Sequence, residues 1–266
     1  MKKINFKTTT LQKGTVQVYN FDKCKLHAYQ TNNPLNEEVF LLEKEGRGII
    51  IESMGFTENV KEFNQYVCST KVNVEGILLS YHMAGGENLV PETKIFSTEK
   101  AYNFAHKGKA KELTKNFKLA FGEKFDDKIN NISDYIKPGI VNIAGIVMEI
   151  KETEDAFDIE LPEINSIYIH MLSHDSHSIV EGKVNADILI KQLKNYLKKG
   201  YDLVLSSHNV PENSNDLKTK IAYLEDLKKA AAKATSQKEF KQIMKKKYPN
   251  YKSENYLDMT AGFFFK

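Results

Sequence analysis

The chain has 266 residues, of which 41% are hydrophobic and 27% charged, a composition typical of a soluble globular protein with a substantial core. A formal net charge of +3 is too small to indicate a nucleic-acid or membrane partner, and a single arginine, Arg47, argues against a nucleic-acid reader. The two cysteines predict neither a disulfide framework nor a thiolate zinc site, and no signal peptide or run of about 20 apolar residues is present, so we expect a cytoplasmic protein.

The first third of the chain alternates short apolar runs with turn residues. Four of these runs predict consecutive antiparallel strands, at residues 15–19, 25–29, 39–42 and 48–52. A helix over residues 57–67 follows, because Val60, Phe63 and Val67 repeat at helical spacing. A buried strand over residues 72–79 then leads into a loop that contains His82 and the pair Gly85-Gly86.

The rest of the chain repeats this order of strands and helices. Residues 98–137 are rich in lysine and predict helices, and three strands are expected after them, at 140–150, 157–161 and 167–171. A helix over 185–198, a strand over 202–205 and two further helices complete the predicted elements. The tail over 256–265 is too apolar for a disordered end, so we expect it to be ordered and packed.

Histidines follow three of the predicted strands, at the point where each strand ends. His82 follows the strand at 72–79, His174 and His177 follow the strand at 167–171, and His208 follows the strand at 202–205. A rigid strand that ends in a polar loop is a common way to aim a metal ligand or a general base into a cleft. The competing interpretation of each loop is a polar turn with surface or core histidines. His170 lies in the strand itself and is expected to be partly buried and hydrogen-bonded.

The order of elements predicts an α/β fold. Strands, a helix, a strand and helices occur twice, with no linker of low complexity between the two halves. This pattern favours a four-layer αββα sandwich, in which two mixed β-sheets are flanked by helices, and a single domain over residues 1–266.

Four places in the chain resemble the metallo-β-lactamase fold superfamily. Glu52, at the end of the strand at 48–52, stands where the family has the aspartate of an Asp-x-Gly turn. The segment 77–88 resembles the family's main metal loop, His-x-His-x-Asp-His followed by Gly-Gly. The segments 173–178 and 205–211 stand where the family has Gly-His-Thr-x-Gly-Ser and its last metal histidine. The resemblance spans residues 39–211 and implies a single metallo-β-lactamase-like domain.

The main metal loop departs from the family pattern because it keeps a single histidine. When the strand end is aligned, His82 falls between the ligand positions; when the double glycine is aligned, it falls on the second histidine of the motif. In both alignments the Asp-His pair is missing, so the family's two-metal site is not intact.

The resemblance implies a hydrolase that uses a divalent metal, with zinc as the expected ion. We predict that His82, His174 and His208 converge on one cleft as the metal ligands, with Asp175 and His177 beside them as catalytic residues. Metal-bound water would then attack a small ester, lactone, amide or phosphoester, which makes a small molecule the expected partner. The alternative is a scaffold of the same fold that has lost its metal and binds a small molecule or a protein. An unrelated α/β binding protein is a third possibility.

Overall fold

The computed structural model describes residues 4–85 and 88–265, so Gly86 and Glu87 of the predicted metal loop lie outside the described residues. The described chain forms two compact units. The first contains the residues up to Leu172 together with Val204–Pro211, and the second contains Ser173–Leu203 and the residues from Glu212 onward. A single domain over residues 1–266 stays a prediction.

The larger sheet of the first unit has eight strands in chain order. They are β1 (Phe6–Thr10), β2 (Thr15–Asn20), β3 (Cys24–Gln30), β4 (Glu38–Lys44), β5 (Arg47–Ile51), β6 (Asn73–Leu78), β7 (Ile95–Ser97) and β8 (Asp134–Tyr135). Strands β1 to β5 pair antiparallel, and β5 to β8 pair parallel, so the sheet is mixed. The sequence pattern missed β1 and β8, which are short or fully exposed strands at the two edges.

Helix α1 (Thr57–Thr70) makes the crossover between β5 and β6 that a parallel strand pair requires. Its buried side chains include Val60, Phe63 and Val67, the residues whose spacing predicts the helix. Phe63 stacks on Tyr29 of β3 with ring centroids 5.1 Å apart, so α1 packs on the outer face of the larger sheet. The helix ends at Lys71, which adopts the left-handed conformation.

The second sheet has the order β13-β12-β11-β10-β9, and β9 to β12 pair antiparallel. Its strands are β9 (Gly139–Ile143), β10 (Ile146–Glu152), β11 (Phe157–Leu161), β12 (Ser166–Ile169) and β13 (Leu203–Ser206). The segment 140–150, predicted as one apolar stretch, is divided by a turn in which Ala144 and Gly145 both have positive φ.

The two sheets face each other, and their inner side chains form the core of the first unit. Phe40 of β4 and Tyr168 of β12 are fully buried, with ring centroids 6.1 Å apart. The Ser80 hydroxyl donates to the carbonyl of Phe157 and accepts from its N–H at 3.1 Å, which joins the end of the larger sheet to β11.

Six further helices complete the described chain. Helices α2 (Glu99–Lys107) and α3 (Lys109–Phe121) belong to the first unit; α4 (Lys183–Lys199), α5 (Ser214–Lys233), α6 (Gln237–Lys247) and α7 (Glu254–Phe264) belong to the second. The apolar tail folds as α7, in which Leu257 and Ala261 are buried, and Phe265 contacts Phe240 of α6 with ring centroids 5.7 Å apart. The tail is therefore ordered, as predicted. None of the helices in the described ranges has the length and apolar composition needed to cross a membrane.

Candidate metal centre

Three histidines that follow three different strands come together in the first unit. His82 lies beyond the end of β6, His170 directly follows β12, and His208 lies just beyond β13. One ring nitrogen from each lies within 4.8 Å of the other two. Ring centroids are 4.8 Å apart for His82 and His208, 5.4 Å for His82 and His170, and 5.6 Å for His170 and His208. We call these residues the three-histidine group; within the described residues, no other set of three potential ligands is this close.

Burial keeps the imidazoles of the group neutral. Burial lowers the pKa of His82 well below its usual value, and repulsion from the protonated forms of His208 and His170 lowers it further. Burial and the neighbouring His208 lower the pKa of His170 to about 3, and burial lowers the pKa of His208 despite an opposing bond to Leu35. Because metal binding requires the neutral imidazole, all three rings are in the state that can coordinate a cation at pH 7.

The free nitrogens of the group match the donors that a cation needs. His208 Nδ1 donates to the Leu35 carbonyl at 2.8 Å, since a carbonyl can only accept, and its Nε2 is therefore the nitrogen with a lone pair. His82 Nδ1 is buried and makes no hydrogen bond of acceptable geometry within the described chain. A buried polar atom without a partner is unfavourable by about 1–3 kcal/mol. Three neutral imidazoles with nitrogens this close together are a donor set that fits a divalent ion that prefers nitrogen ligands, such as zinc.

The carboxylate of Glu52 organises the loop that carries His82. It is fully buried and accepts from the N–H groups of Tyr81 at 2.9 Å and of His82 at 2.8 Å. It also accepts from the Tyr168 hydroxyl at 2.5 Å, and that hydroxyl bonds in turn to Ser207. Burial raises the pKa of Glu52 to about 7 against these hydrogen bonds, which lower it.

Other contacts fix the same loop. The Ser53 hydroxyl lies 3.0 Å from the His82 carbonyl and 2.9 Å from the Ala84 carbonyl. Gly85 has φ +74°, and a Cβ added there would lie 2.3 Å from the carbonyl oxygen of Met54. The loop therefore needs glycine at this position, and its backbone is tightly constrained on both sides of Met83.

The Tyr81 ring lies flat against His170. Their centroids are 4.3 Å apart and their planes differ by 6°. The tyrosine hydroxyl bonds to Thr153 at 2.8 Å, which holds the phenol in place. The Tyr81 side chain, directly before His82 in the loop, therefore packs against the ring of another member of the group.

Of the three predicted ligands, His82 and His208 are members of the three-histidine group, and His170 takes the place in that group that we predicted for His174. The His174 ring contacts residues of the second unit: its Nδ1 bonds to Glu212 at 2.8 Å and lies 3.6 Å from Asp216. Burial lowers the pKa of His174, but the two carboxylates outweigh it and raise the pKa overall. His174 is thus oriented by acidic partners, which favours its protonated form.

Asp175 and His177 hold the loop that contains them. One carboxylate oxygen of Asp175 accepts from the Ser173 hydroxyl at 2.8 Å, and the other pairs with Lys252 at 2.9 Å. Burial raises the pKa of Asp175, but these bonds lower it below its usual value. His177 is buried beside Tyr223, whose hydroxyl lies 3.0 Å from its Nδ1, and burial lowers its pKa to about 4. The catalytic roles of Asp175 and His177 stay predictions.

The sequence pattern favoured a structural role for His170 because of its place in the predicted strand. The structure ends β12 at Ile169, so His170 is already the first residue beyond the strand. This is the same kind of position as those of His82 and His208, and a predicted strand that ended at Ile169 would have placed His170 among the candidate ligands.

Two facing β-sheets, of eight and five strands, are the architecture of the metallo-β-lactamase fold, and solved structures confirm this fold. A metallo-β-lactamase family protein from Thermus thermophilus is similar with a TM-score of 0.60 at 12% identity, over 92% of this chain and 92% of that chain. A metallo-β-lactamase from Erythrobacter litoralis has a TM-score of 0.56 at 10% identity, over 83% of this chain and 100% of its own. The stereoselective inverting sec-alkylsulfatase Pisa1 from Pseudomonas sp. has a TM-score of 0.56 at 13% identity.

The alkylsulfatase comparison covers 94% of this chain but 47% of that enzyme, so the chain spans about half the length of the alkylsulfatase. No protein-family model and no curated protein matches the sequence. The chain therefore has the metallo-β-lactamase fold, a fold used by hydrolases, and the predicted α/β fold class is confirmed.

Proposed function

We propose that the protein is a metal-dependent hydrolase in which His82, His170 and His208 hold one divalent cation, with zinc as the expected ion. The observation that carries the proposal is the convergence of one nitrogen from each neutral imidazole within 4.8 Å. Three histidine ligands leave a fourth coordination position open for water or substrate.

When bound, the cation would lower the pKa of a water molecule to about 7 and so supply hydroxide at neutral pH. The chain's own residues set the geometry for this chemistry. The Leu35 carbonyl fixes the tautomer of His208, and the Tyr81 ring fixes the plane of His170. The substrate we propose is a small ester, lactone, amide or phosphoester, and no nucleic-acid or membrane partner is expected.

The group contains no carboxylate among the described residues, whereas a second metal would need further ligands. We therefore propose a mononuclear site. The same observation favours the alternative function, a metal-free scaffold that binds a small molecule or a protein, and the experiment below decides between the two.

The test measures metal content in protein purified without a polyhistidine tag and reconstituted with zinc. Wild type should bind one equivalent, and His82→Asn, His170→Asn and His208→Asn should each lose it together with hydrolysis of a chromogenic ester or phosphodiester. His174→Asn is the matched control, because it removes the histidine that the sequence alone favoured and that pairs with Glu212. Retained metal in His174→Asn supports the three-histidine group, and loss of metal there contradicts it. A wild-type protein that binds no zinc supports the metal-free scaffold.

A further inference from the structure

Glu52 lies in an unusual backbone conformation at the end of β5. Its φ is +71°, a region that residues other than glycine, asparagine and aspartate seldom adopt. Conformations of this kind persist where the surrounding structure holds them, and they cluster at functional sites. The carboxylate is also fully buried, which is unfavourable unless every lone pair finds a donor.

The donors that Glu52 finds belong to the segments that carry the three-histidine group. The N–H groups of Tyr81 and His82 are part of the first segment, and the Tyr168 hydroxyl is two residues before His170. The third segment is reached through the bond between Tyr168 and Ser207, which directly precedes His208. One carboxylate therefore touches two of the histidine segments and is one hydrogen bond away from the third.

A backbone hydrogen bond also joins the second and third histidine segments directly. The Ser207 N–H donates to the His170 carbonyl at 2.9 Å, so the second and third segments are tied to each other as well as to Tyr168. Displacement of the carboxylate would release the His82 loop from Tyr168 while this bond kept His170 and His208 together.

We infer that Glu52 is the positioning residue that holds His82 in register with His170 and His208, through the two N–H groups of its loop and through the Tyr168–Ser207 pair. This inference rests on the proposed function. It assigns Glu52 no contact with substrate, and it predicts that a neutral amide at this position misplaces one of the three ligands.

The chain offers a close control for this role. Glu62 also accepts from two backbone N–H groups, those of Lys13 and Gly14, both at 2.8 Å, and from one tyrosine hydroxyl, that of Tyr29 at 2.9 Å. None of these partners belongs to a segment that carries the three-histidine group. Glu52→Gln and Glu62→Gln therefore change the same kinds of hydrogen bond. Only the hydrogen bonds of Glu52 reach segments that carry the proposed ligands.

The experiment measures cobalt(II) affinity by competition with a chelating dye, with the visible cobalt spectrum as the readout of coordination geometry. Glu52→Gln should bind one equivalent with about 10- to 100-fold lower affinity and an altered spectrum, while Glu62→Gln stays within about twofold of wild type with an unchanged spectrum. Wild-type affinity and spectrum in Glu52→Gln, or equal losses in both variants, would overturn the inference. If Glu52→Gln does not fold, Tyr168→Phe replaces it, because it removes only the hydroxyl shared by Glu52 and Ser207, with an expected loss of about 10-fold.

A wild-type protein that binds no cobalt would contradict the proposed function and not by itself the role of Glu52. Crystal structures of metal-free wild type and Glu52→Gln then decide. A His82 ring displaced from His170 and His208 in the variant supports the positioning role, and superimposable rings overturn it.

Discussion

Lys220 allows a test of how the burial of one charged group makes the stability of the protein depend on pH. Its side chain is 4% exposed on α5, its Nζ donates to the Ser176 carbonyl at 2.7 Å, and the nitrogen lies 4.6 Å from the centre of the Tyr223 ring. Burial lowers the pKa of Lys220 from 10.5 to about 7, against the opposing charges of Glu212 and Asp175. The folded protein therefore binds fewer protons than the unfolded chain between pH 7 and pH 10.5.

The sign of the pH effect follows from this difference. Stability rises with pH wherever the unfolded state binds more protons, with a limiting slope of about 1.4 kcal/mol per pH unit for one group. Over the whole interval between the two pKa values of Lys220, from about 7 to 10.5, the free energy of unfolding would rise by on the order of 5 kcal/mol, which is an upper bound. Between pH 7 and pH 9.5 we expect Lys220 to add a few kcal/mol to the free energy of unfolding as it loses its proton.

Lys220→Met removes the titrating group, so its stability should lack this rise with pH. The matched control is Lys218→Met, two residues away on the exposed side of α5, which should keep the wild-type pH dependence. Urea unfolding of the three proteins at pH 7, 8, 9 and 9.5 gives the free energies, and an unchanged m value shows that they are comparable. A constant difference between wild type and Lys220→Met across this range would refute the reasoning, because it would mean that Lys220 keeps its proton in the folded state.

Two further predictions concern the first unit. Glu38 is fully buried, and neither of its carboxylate oxygens has a hydrogen-bond partner in the described chain, so Glu38→Met should stabilise the protein by about 1–3 kcal/mol; a lower melting temperature would show that the carboxyl group has a favourable partner. Gly85→Ala should destabilise the protein by several kcal/mol, since the new Cβ would lie 2.3 Å from the Met54 carbonyl oxygen. Gly46 has a similar positive φ, but a Cβ there would have nothing within 4 Å, so Gly46→Ala should destabilise the protein by only about 1 kcal/mol. Equal melting temperatures for the two glycine variants would contradict the steric argument.

Local patterns in the sequence were sufficient for most of the fold. Alternating apolar residues predicted the central strands, and helical spacing predicted α1, α4 and α5, because burial on one face leaves a periodic trace. The pattern failed within 140–150, where the turn is made by Ala144-Gly145 and lacks the asparagine or aspartate that usually announces a hairpin. It also missed β1, whose side chains are all exposed and therefore leave no burial pattern.

The candidate site was predictable only in part, for a related reason. His82 and His208 were found because they follow buried strands, which is a local property. The partner of His174 is Glu212, 38 residues further along the chain, and no local pattern indicates that this carboxylate would engage the ring. In the same way, Glu52 was placed at a strand end, but its bond to Tyr168 joins residues 116 positions apart.

The hydrogen bonds between Glu52 and the His82 loop use main-chain N–H groups, so the side chains at positions 81 and 82 are not needed to shape the loop. A loop held in this way can exchange its side chains by neutral drift while its backbone stays in place. A protein engineer could use this freedom to graft a carboxylate or imidazole side chain onto position 83 and build a second cation site beside the first.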